Sequence, residues 1–143
     1  MTVSTILAGK GREVVSVEPS TSLADAVRLL ASKRIGAALV LGADRRISGI
    51  ISERDIVRRL PERGAAMLDG PVADIMVKEV RCAAPDDEVE SLMAVMTTHR
   101  IRHLPVVREG ELVGIVSIGD VVKHRVDALE DDNRALVDYI HAR

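Results

Sequence analysis

Gly49-Ile50-Ile51-Ser52-Glu53-Arg54-Asp55 comes back 65 residues later as Gly114-Ile115-Val116-Ser117-Ile118-Gly119-Asp120. Working outward from these two stretches, the chain proves to be doubled nearly end to end. Pro19 matches Pro85, Ile35 matches Ile101 and Val40 matches Val106, each at an offset of 66. Even the segments leading into the two copies agree: Thr2-Val3-Ser4-Thr5-Ile6-Leu7 runs parallel to Pro71-Val72-Ala73-Asp74-Ile75-Met76 at an offset of 69. A unit this small does not bury its apolar face alone, so the two copies are expected to pack on each other. Two packed copies leave two related clefts, and function is expected there.

Each copy reads as β–α–β–β–α. In the first, residues 14–17 form a short strand, and Pro19-Ser20-Thr21-Ser22 breaks the chain ahead of a helix. Leu23, Ala26, Val27 and Leu30 recur at steps of three and four, which gives that helix one apolar face. Residues 35–41 and 47–51 are apolar runs of buried-strand length, joined by the polar turn Gly42-Ala43-Asp44-Arg45-Arg46. Ser52 opens a closing helix with Ile56, Val57 and Leu60 on its inner face. The second copy repeats the plan with a strand at 80–85, a helix face of Val89, Leu92, Met93 and Met96, and the turn Arg108-Glu109-Gly110-Glu111. The expected boundaries are a first repeat with its lead-in over residues 1–60, a linker over 61–70, a second repeat with its lead-in over 71–126, and a helical extension over 127–143. The fold class is mixed α/β (α+β): two pseudo-twofold-related repeats packed sheet to sheet, plus a long C-terminal helix.

Composition narrows the function. Of 143 residues, 47% are hydrophobic and the net charge is −2, the balance of a globular chain and not of a disordered one. A dedicated nucleic-acid binder carries a large positive excess, so no nucleic-acid partner is expected. Phe and Trp are absent and Tyr139 is the one tyrosine, so a flat ligand must be held by aliphatic walls and backbone groups instead of ring stacking. Cys82 is the single cysteine, which argues against a disulfide framework or a thiolate zinc cluster and suggests a buried structural role. No apolar run reaches spanning length and residues 1–8 lack the plan of a signal peptide, so no membrane contact and a cytoplasmic location are expected.

Ile101-Arg102-His103-Leu104-Pro105-Val106-Val107, followed by Gly114-Ile115-Val116-Ser117-Ile118-Gly119-Asp120-Val121-Val122, is similar to the wording of the CBS domain family. Ile35-Gly36-Ala37 and Ser52-Glu53-Arg54-Asp55 match it in the first repeat. Over residues 2–126 the chain resembles a stand-alone tandem CBS pair, or Bateman module. The resemblance implies a non-catalytic regulatory module whose clefts bind adenosine-containing ligands, AMP first, with ADP, ATP, NAD or S-adenosylmethionine as alternatives. It also implies that the Asp of each Ser-x-x-Asp step holds ribose hydroxyls, which nominates Asp120 with Ser117 and Asp55 with Ser52. Asp120 is the stronger candidate, because the first repeat departs from the pattern with Leu39 where the second has Pro105.

Each nominated residue also has a plainer role. Ser-x-x-Asp is a helix start in its own right, with serine as N-cap and a carboxylate in the first turn. The two roles are compatible, since a carboxylate at a helix start beside a cleft accepts hydroxyls in charge-assisted bonds worth roughly 1.5–3 kcal/mol. Lys33, Arg54, Arg100, Arg102 and His103 gather beside the same strands. They suit a phosphate, for which arginine offers a fork of donors, or else make a solvated surface. Ile101, Leu104, Pro105, Ile35, Gly36, Ala37 and Ala38 are either the walls of an adenine site or plain core strands. Pro105 limits its strand to an edge or bulge position.

Catalysis finds little support. His99 and His103 lie four residues apart but straddle a helix-to-strand junction, with no third metal ligand in view. Gly9-Lys10-Gly11 lacks the rest of a phosphate loop, and no serine sits on a nucleophile elbow. No catalytic residue, metal site or catalytic cofactor is expected. Toward the C-terminus, Val126, Asn133 and Ile140 fall at heptad position a, and Val122, Leu129 and Leu136 at d. That pattern favours a parallel two-stranded pairing, with a helix folded back onto its own or a partner's module as the alternative. Either arrangement predicts a homodimer. Which adenosyl ligand binds, how many sites fill and which protein partner reads the state stay open. A ligand-free dimerisation or docking scaffold is the rival function, and a small nucleotide-processing enzyme the more distant one.

Overall fold

The structure is a computed structural model that describes residues 1–142. Along the chain run α1 (Val3–Lys10), β1 (Ser16–Val17), α2 (Leu23–Lys33), β2 (Ala37–Leu41), β3 (Ile47–Ser52) and α3 (Glu53–Arg63). Two 3-10 turns, Ala65–Asp69 and Val72–Asp74, lead to α4 (Val89–His99), β4 (His103–Arg108), β5 (Glu111–Ser117) and α5 (Ile118–His141). Serine starts three of the helices: Ser22, Ser52 and Ser117 each accept a hydrogen bond from the backbone N–H three residues on. α2 and α4 both end on an arginine in the left-handed region, Arg34 at φ 54° and Arg100 at φ 53°.

The two repeats share a plan but not a strand count. In the first, β1 pairs parallel with β2, and β2 pairs antiparallel with β3. In the second, β4 and β5 form a two-stranded antiparallel sheet, and the strand expected at 80–85 is reduced to one parallel bridge between Ala83 and Val106. Pro105 supplies a reason. Its counterpart Leu39 donates its N–H to the Val15 carbonyl at 3.3 Å, a rung that proline has no hydrogen to make.

Two apolar clusters form the core, and each mixes the two repeats. Val3, Ile6 and Leu7 of α1 lie among Val89, Leu92, Met96, Leu104, Val106 and Val116 of the second repeat. Val72 and Ile75, from the second lead-in, lie among Leu23, Ala26, Leu30, Val40 and Ile51 of the first. Each lead-in therefore crosses to the other copy, and its main chain docks there identically. Val3 N donates to Asp87 O at 3.0 Å and Ser4 N to Pro85 O at 2.9 Å; Val72 N donates to Thr21 O at 2.7 Å and Ala73 N to Pro19 O at 3.1 Å. In return Val89 N donates to Met1 O at 3.1 Å and Leu23 N to Gly70 O at 2.9 Å. These pairs obey the sequence offsets of 66 and 69, so the pseudo-twofold relation extends to individual hydrogen bonds.

The crossing accounts for a matched pair of glycines. A Cβ at Gly49 would stand 2.7 Å from the Val77 carbonyl oxygen and 2.9 Å from Met76 Sδ, and one at Gly114 would stand 2.7 Å from Leu7 Cδ2. In both copies the lead-in of the other half lies against the bare backbone of the glycine.

Several expectations change. α3 continues through Pro61 to Arg63, so the helix does not stop at residue 60. On that helix Ile56 is buried, whereas Val57 and Leu60 are exposed, so its inner face is narrower than the spacing suggested. Val27 on α2 is likewise exposed. Cys82 is exposed, not buried, because the segment carrying it never joins a full strand. α5 is one continuous helix from Ile118, so residues 127–141 prolong the closing helix of the second repeat; Arg143, the last residue of the expected extension, lies outside the described residues. Val122, Val126, Leu129, Leu136 and Ile140 are 46–69% exposed, so this helix does not fold back onto its own module. No helix among the described residues is long and apolar enough to cross a membrane.

Candidate functional site

A groove of about 1010 Å³ opens between the two repeats. From the first it is lined by Gly36, Ala37, Ile50, Ser52, Glu53, Arg54, Asp55, Val57 and Arg58; from the second by His99, Arg100, Ile101, Arg102, His103 and Ile118. Local backbone geometry puts these groups there. Ser52 ends β3 and caps α3, accepting the Asp55 N–H at 3.2 Å while its hydroxyl donates to Asp55 Oδ2 at 2.8 Å. Across the groove, the left-handed turn at Arg100 stops α4 and swings the chain back, and Ile101 N closes on Met96 O at 2.9 Å. Arg102 and His103 follow at once, and Arg102 O accepts Ile118 N at 2.8 Å. In the first repeat the equivalent bond joins Glu53 N to Gly36 O at 2.9 Å.

The charge in the groove is predominantly positive. Arg54, Arg58, Arg100 and Arg102 outnumber Glu53 and Asp55. His103 is held below the ordinary imidazole value, first by burial and then by the positive fields of Lys10 and Arg102, against the opposing pull of Asp120 and Glu53. Burial and neighbouring cations favour the neutral ring, and an anion beside it favours the protonated one. Guanidinium forks and a titratable ring on one wall, facing a carboxylate at a helix start on the other, match a ligand with a phosphate at one end and hydroxyls at the other.

The second Ser-x-x-Asp step is arranged differently. Ser117 and Asp120 form a complete capping box, with Ser117 N donating to Asp120 Oδ2 at 2.9 Å and Asp120 N donating to Ser117 Oγ at 3.1 Å. The Lys10 ammonium also donates to Asp120 Oδ2, at 2.5 Å, and to the Ile115 carbonyl at 3.0 Å. Burial pushes the Asp120 carboxyl upward, but the bonds from Lys10 and Ser117 outweigh it and hold the group below the usual carboxylate range.

Of the residues nominated from the sequence, the groove brings together Ser52, Asp55, Gly36, Ala37, Ile101, Arg54, Arg100, Arg102 and His103. Ser117 and Asp120 lie outside its lining. Leu104, Pro105 and Ala38 are buried in the core. Ile35 lines a separate apolar hollow of about 420 Å³ between α2 and α3, with Val27, Leu30 and Ile56. Lys33 is exposed on the last turn of α2. Two residues of consequence escape a reading of the motifs alone, Glu53 in the groove and Lys10 on Asp120. The lead-in offset of 69 carries a signal for Lys10, since it sets Lys10 against Glu79, a reversal of charge three positions beyond the matching segments. His99 and His103 both line the groove, yet no three His, Cys, Asp or Glu side chains among the described residues form a group that could hold a metal ion.

Comparison with known proteins gives one consistent answer. Residues 10–62 and 72–127 each match the family model of the CBS domain. The crystal structure of a CBS-domain-containing protein from Agrobacterium tumefaciens is 43% identical and superposes with a TM-score of 0.84, over 87% of this chain and 92% of that one. A CBS domain protein from Pyrobaculum aerophilum, solved as a complex with AMP, is 33% identical with a TM-score of 0.78, over 91% of this chain and 97% of that one. The mitochondrial CBS domain-containing protein CBSX3 of Arabidopsis thaliana is 32% identical over 147 aligned positions, covering 97% of this chain and 71% of its own length.

Proposed function

Because the chain belongs to the CBS domain family as a tandem pair, a regulatory module, we propose that it is a non-catalytic sensor of an adenosine-containing ligand. The ligand lies in the groove between the repeats, with its ribose hydroxyls on Asp55, its phosphate toward Arg54, Arg100, Arg102 and His103, and its base against Gly36, Ala37 and Ile101. The observation that carries this reading is the convergence on one groove of a carboxylate at a helix start from one repeat and a basic cluster from the other. The AMP complex of the Pyrobaculum relative puts AMP first among the candidates, ahead of ATP and NAD. Binding biases the packing of the two repeats only as far as the ligand prefers one arrangement over another. A protein partner reads that bias, and a cytoplasmic setting belongs to the same reading.

Thermal unfolding with and without AMP, ADP, ATP, NAD and S-adenosylmethionine tests it. A ligand at a hundred times its dissociation constant adds about 2.7 kcal/mol, a rise of several degrees for a domain of this size. Asp55→Ala removes most of that response. Silence across the whole panel sinks the sensor reading in favour of a ligand-free scaffold.

The exposed apolar stripe on α5 supports the second part of the reading, a homodimer. Val122, Val126, Leu129, Leu136 and Ile140 repeat at heptad spacing on a helix where each of them is exposed among the described residues.

A further inference from the structure

Asp55 and Asp120 occupy equivalent places in the two repeats, three residues into helices capped by Ser52 and Ser117. Their surroundings are unequal. The Asp55 carboxylate receives the neutral Ser52 hydroxyl and borders the large groove. On Asp120, by contrast, Oδ2 is taken by Lys10 and Ser117 N together. The difference traces to the crossed lead-ins. The second lead-in reaches β3 with its main chain, where Val77 N donates to Ile50 O and Ile50 N to Val77 O, both at 2.9 Å. The first lead-in stays helical to Lys10, and the Lys10 side chain makes the equivalent bond, to the carbonyl of Ile115, the counterpart of Ile50. From there the same ammonium reaches Asp120. At the matching position of the other half stands Glu79, which is exposed and carries no cation to offer Asp55.

We propose that Lys10 is a built-in plug on the second carboxylate, so that the module accepts a single diol-bearing ligand, at Asp55. A ribose diol that takes both oxygens of Asp120 must replace the charge-assisted bond on Oδ2 with a neutral hydroxyl bond. Moving Lys10 away from the site altogether also takes the donor from the Ile115 carbonyl. The plug is tethered to α1, whose Val3, Ile6 and Leu7 are buried in the second core, so it does not diffuse away. At Asp55 a diol displaces only a hydroxyl.

The inference rests on the ribose role of Asp55 proposed above, and calorimetric titration of the full chain with AMP separates the two. The wild type is expected to bind one AMP per chain and Lys10→Met two, while Asp55→Asn weakens wild-type binding by roughly tenfold or more. Two AMP per chain in the wild type, or one in a folded Lys10→Met, overturns the plug and leaves the ribose reading standing. No AMP uptake by the wild type overturns both. Should Lys10→Met fail to fold, Lys10→Gln takes its place. The crystal structure of the wild-type AMP complex decides the matter without any variant: ribose on Asp55 with Lys10 still on Asp120 supports the plug, and ribose on Asp120 with Lys10 displaced refutes it.

Discussion

Gly49 and Gly114 are twins in sequence, but alanine at the two positions should cost different amounts. At Gly49 the added methyl would fall 2.7 Å from the Val77 carbonyl oxygen and 3.0 Å from Met76 Cγ. The nearest obstacle is main chain, and it is the same carbonyl that accepts Ile50 N at 2.9 Å. Restoring ordinary contact pushes that carbonyl back by about 0.7 Å, because van der Waals contact begins at 3.4 Å. Overpacking costs roughly 1–3 kcal/mol, and weakening the paired Ile50–Val77 bonds adds about 1 kcal/mol. The alanine returns roughly 0.4–1 kcal/mol through a less flexible unfolded chain. The net loss is about 1–3.5 kcal/mol. At Gly114 the obstacle at 2.7 Å is Leu7 Cδ2, the far end of a side chain that can turn, so the loss there is about 1 kcal/mol or less. Chemical denaturation with extrapolation to water measures both. Leu7→Ala makes the control: it is destabilising alone, and its cost should shrink by roughly 0.5–3 kcal/mol in the Gly114→Ala background, since the two sites touch. Neutral or stabilising alanines at both glycines, or no coupling between Gly114 and Leu7, would refute the crossed packing of the lead-ins.

Two further outcomes follow from charge and exposure. The folded-state pKa of His103 lies below the 6.5 of an ordinary imidazole, so the unfolded chain takes up its proton first. Stability is therefore full above pH 6.5 and falls as the pH drops toward the lower folded value, by at most about 1.4 kcal/mol per pH unit. His103→Gln flattens that slope, and AMP reduces it by favouring the protonated ring. Urea melts at a series of pH values check both; an unchanged slope in His103→Gln removes His103 from the account. On α5, Leu136 is 62% exposed, so Leu136→Glu leaves the protomer's stability within roughly 0.5 kcal/mol while abolishing self-association in sedimentation equilibrium. A dimer that survives the change uses another face.

The doubling of the chain, the order of its elements and the serine-started helices were legible in the residues themselves. Each depends on neighbours a few positions apart: a cap and the N–H it accepts, apolar side chains at steps of three and four, a polar turn between two short apolar runs. That Arg54 and Asp55 share a cleft was also within reach, but the residues placed Arg102 and His103 at the second repeat's own cleft with Asp120, and the structure sets them across the groove from Asp55 instead. Other features were decided by contacts between segments that are not neighbours along the chain. The pairing of Leu39 with Val15, and its loss at Pro105, is one such case. The narrow buried face of α3 is another, since Val57 and Leu60 have the right spacing but stay exposed while Ile56 is buried.

The difference between the two aspartates was beyond motif reading altogether. Ser52-x-x-Asp55 and Ser117-x-x-Asp120 are the same words, and the sequence on its own favoured the second. Which carboxylate meets a cation depends on where the opposite lead-in comes to rest, and a side chain 110 positions away reaches Asp120. Periodicity specifies the faces an element wants to bury; only the assembled tertiary structure determines which charge arrives beside which, because electrostatic contact depends on distance in space and not on separation along the chain.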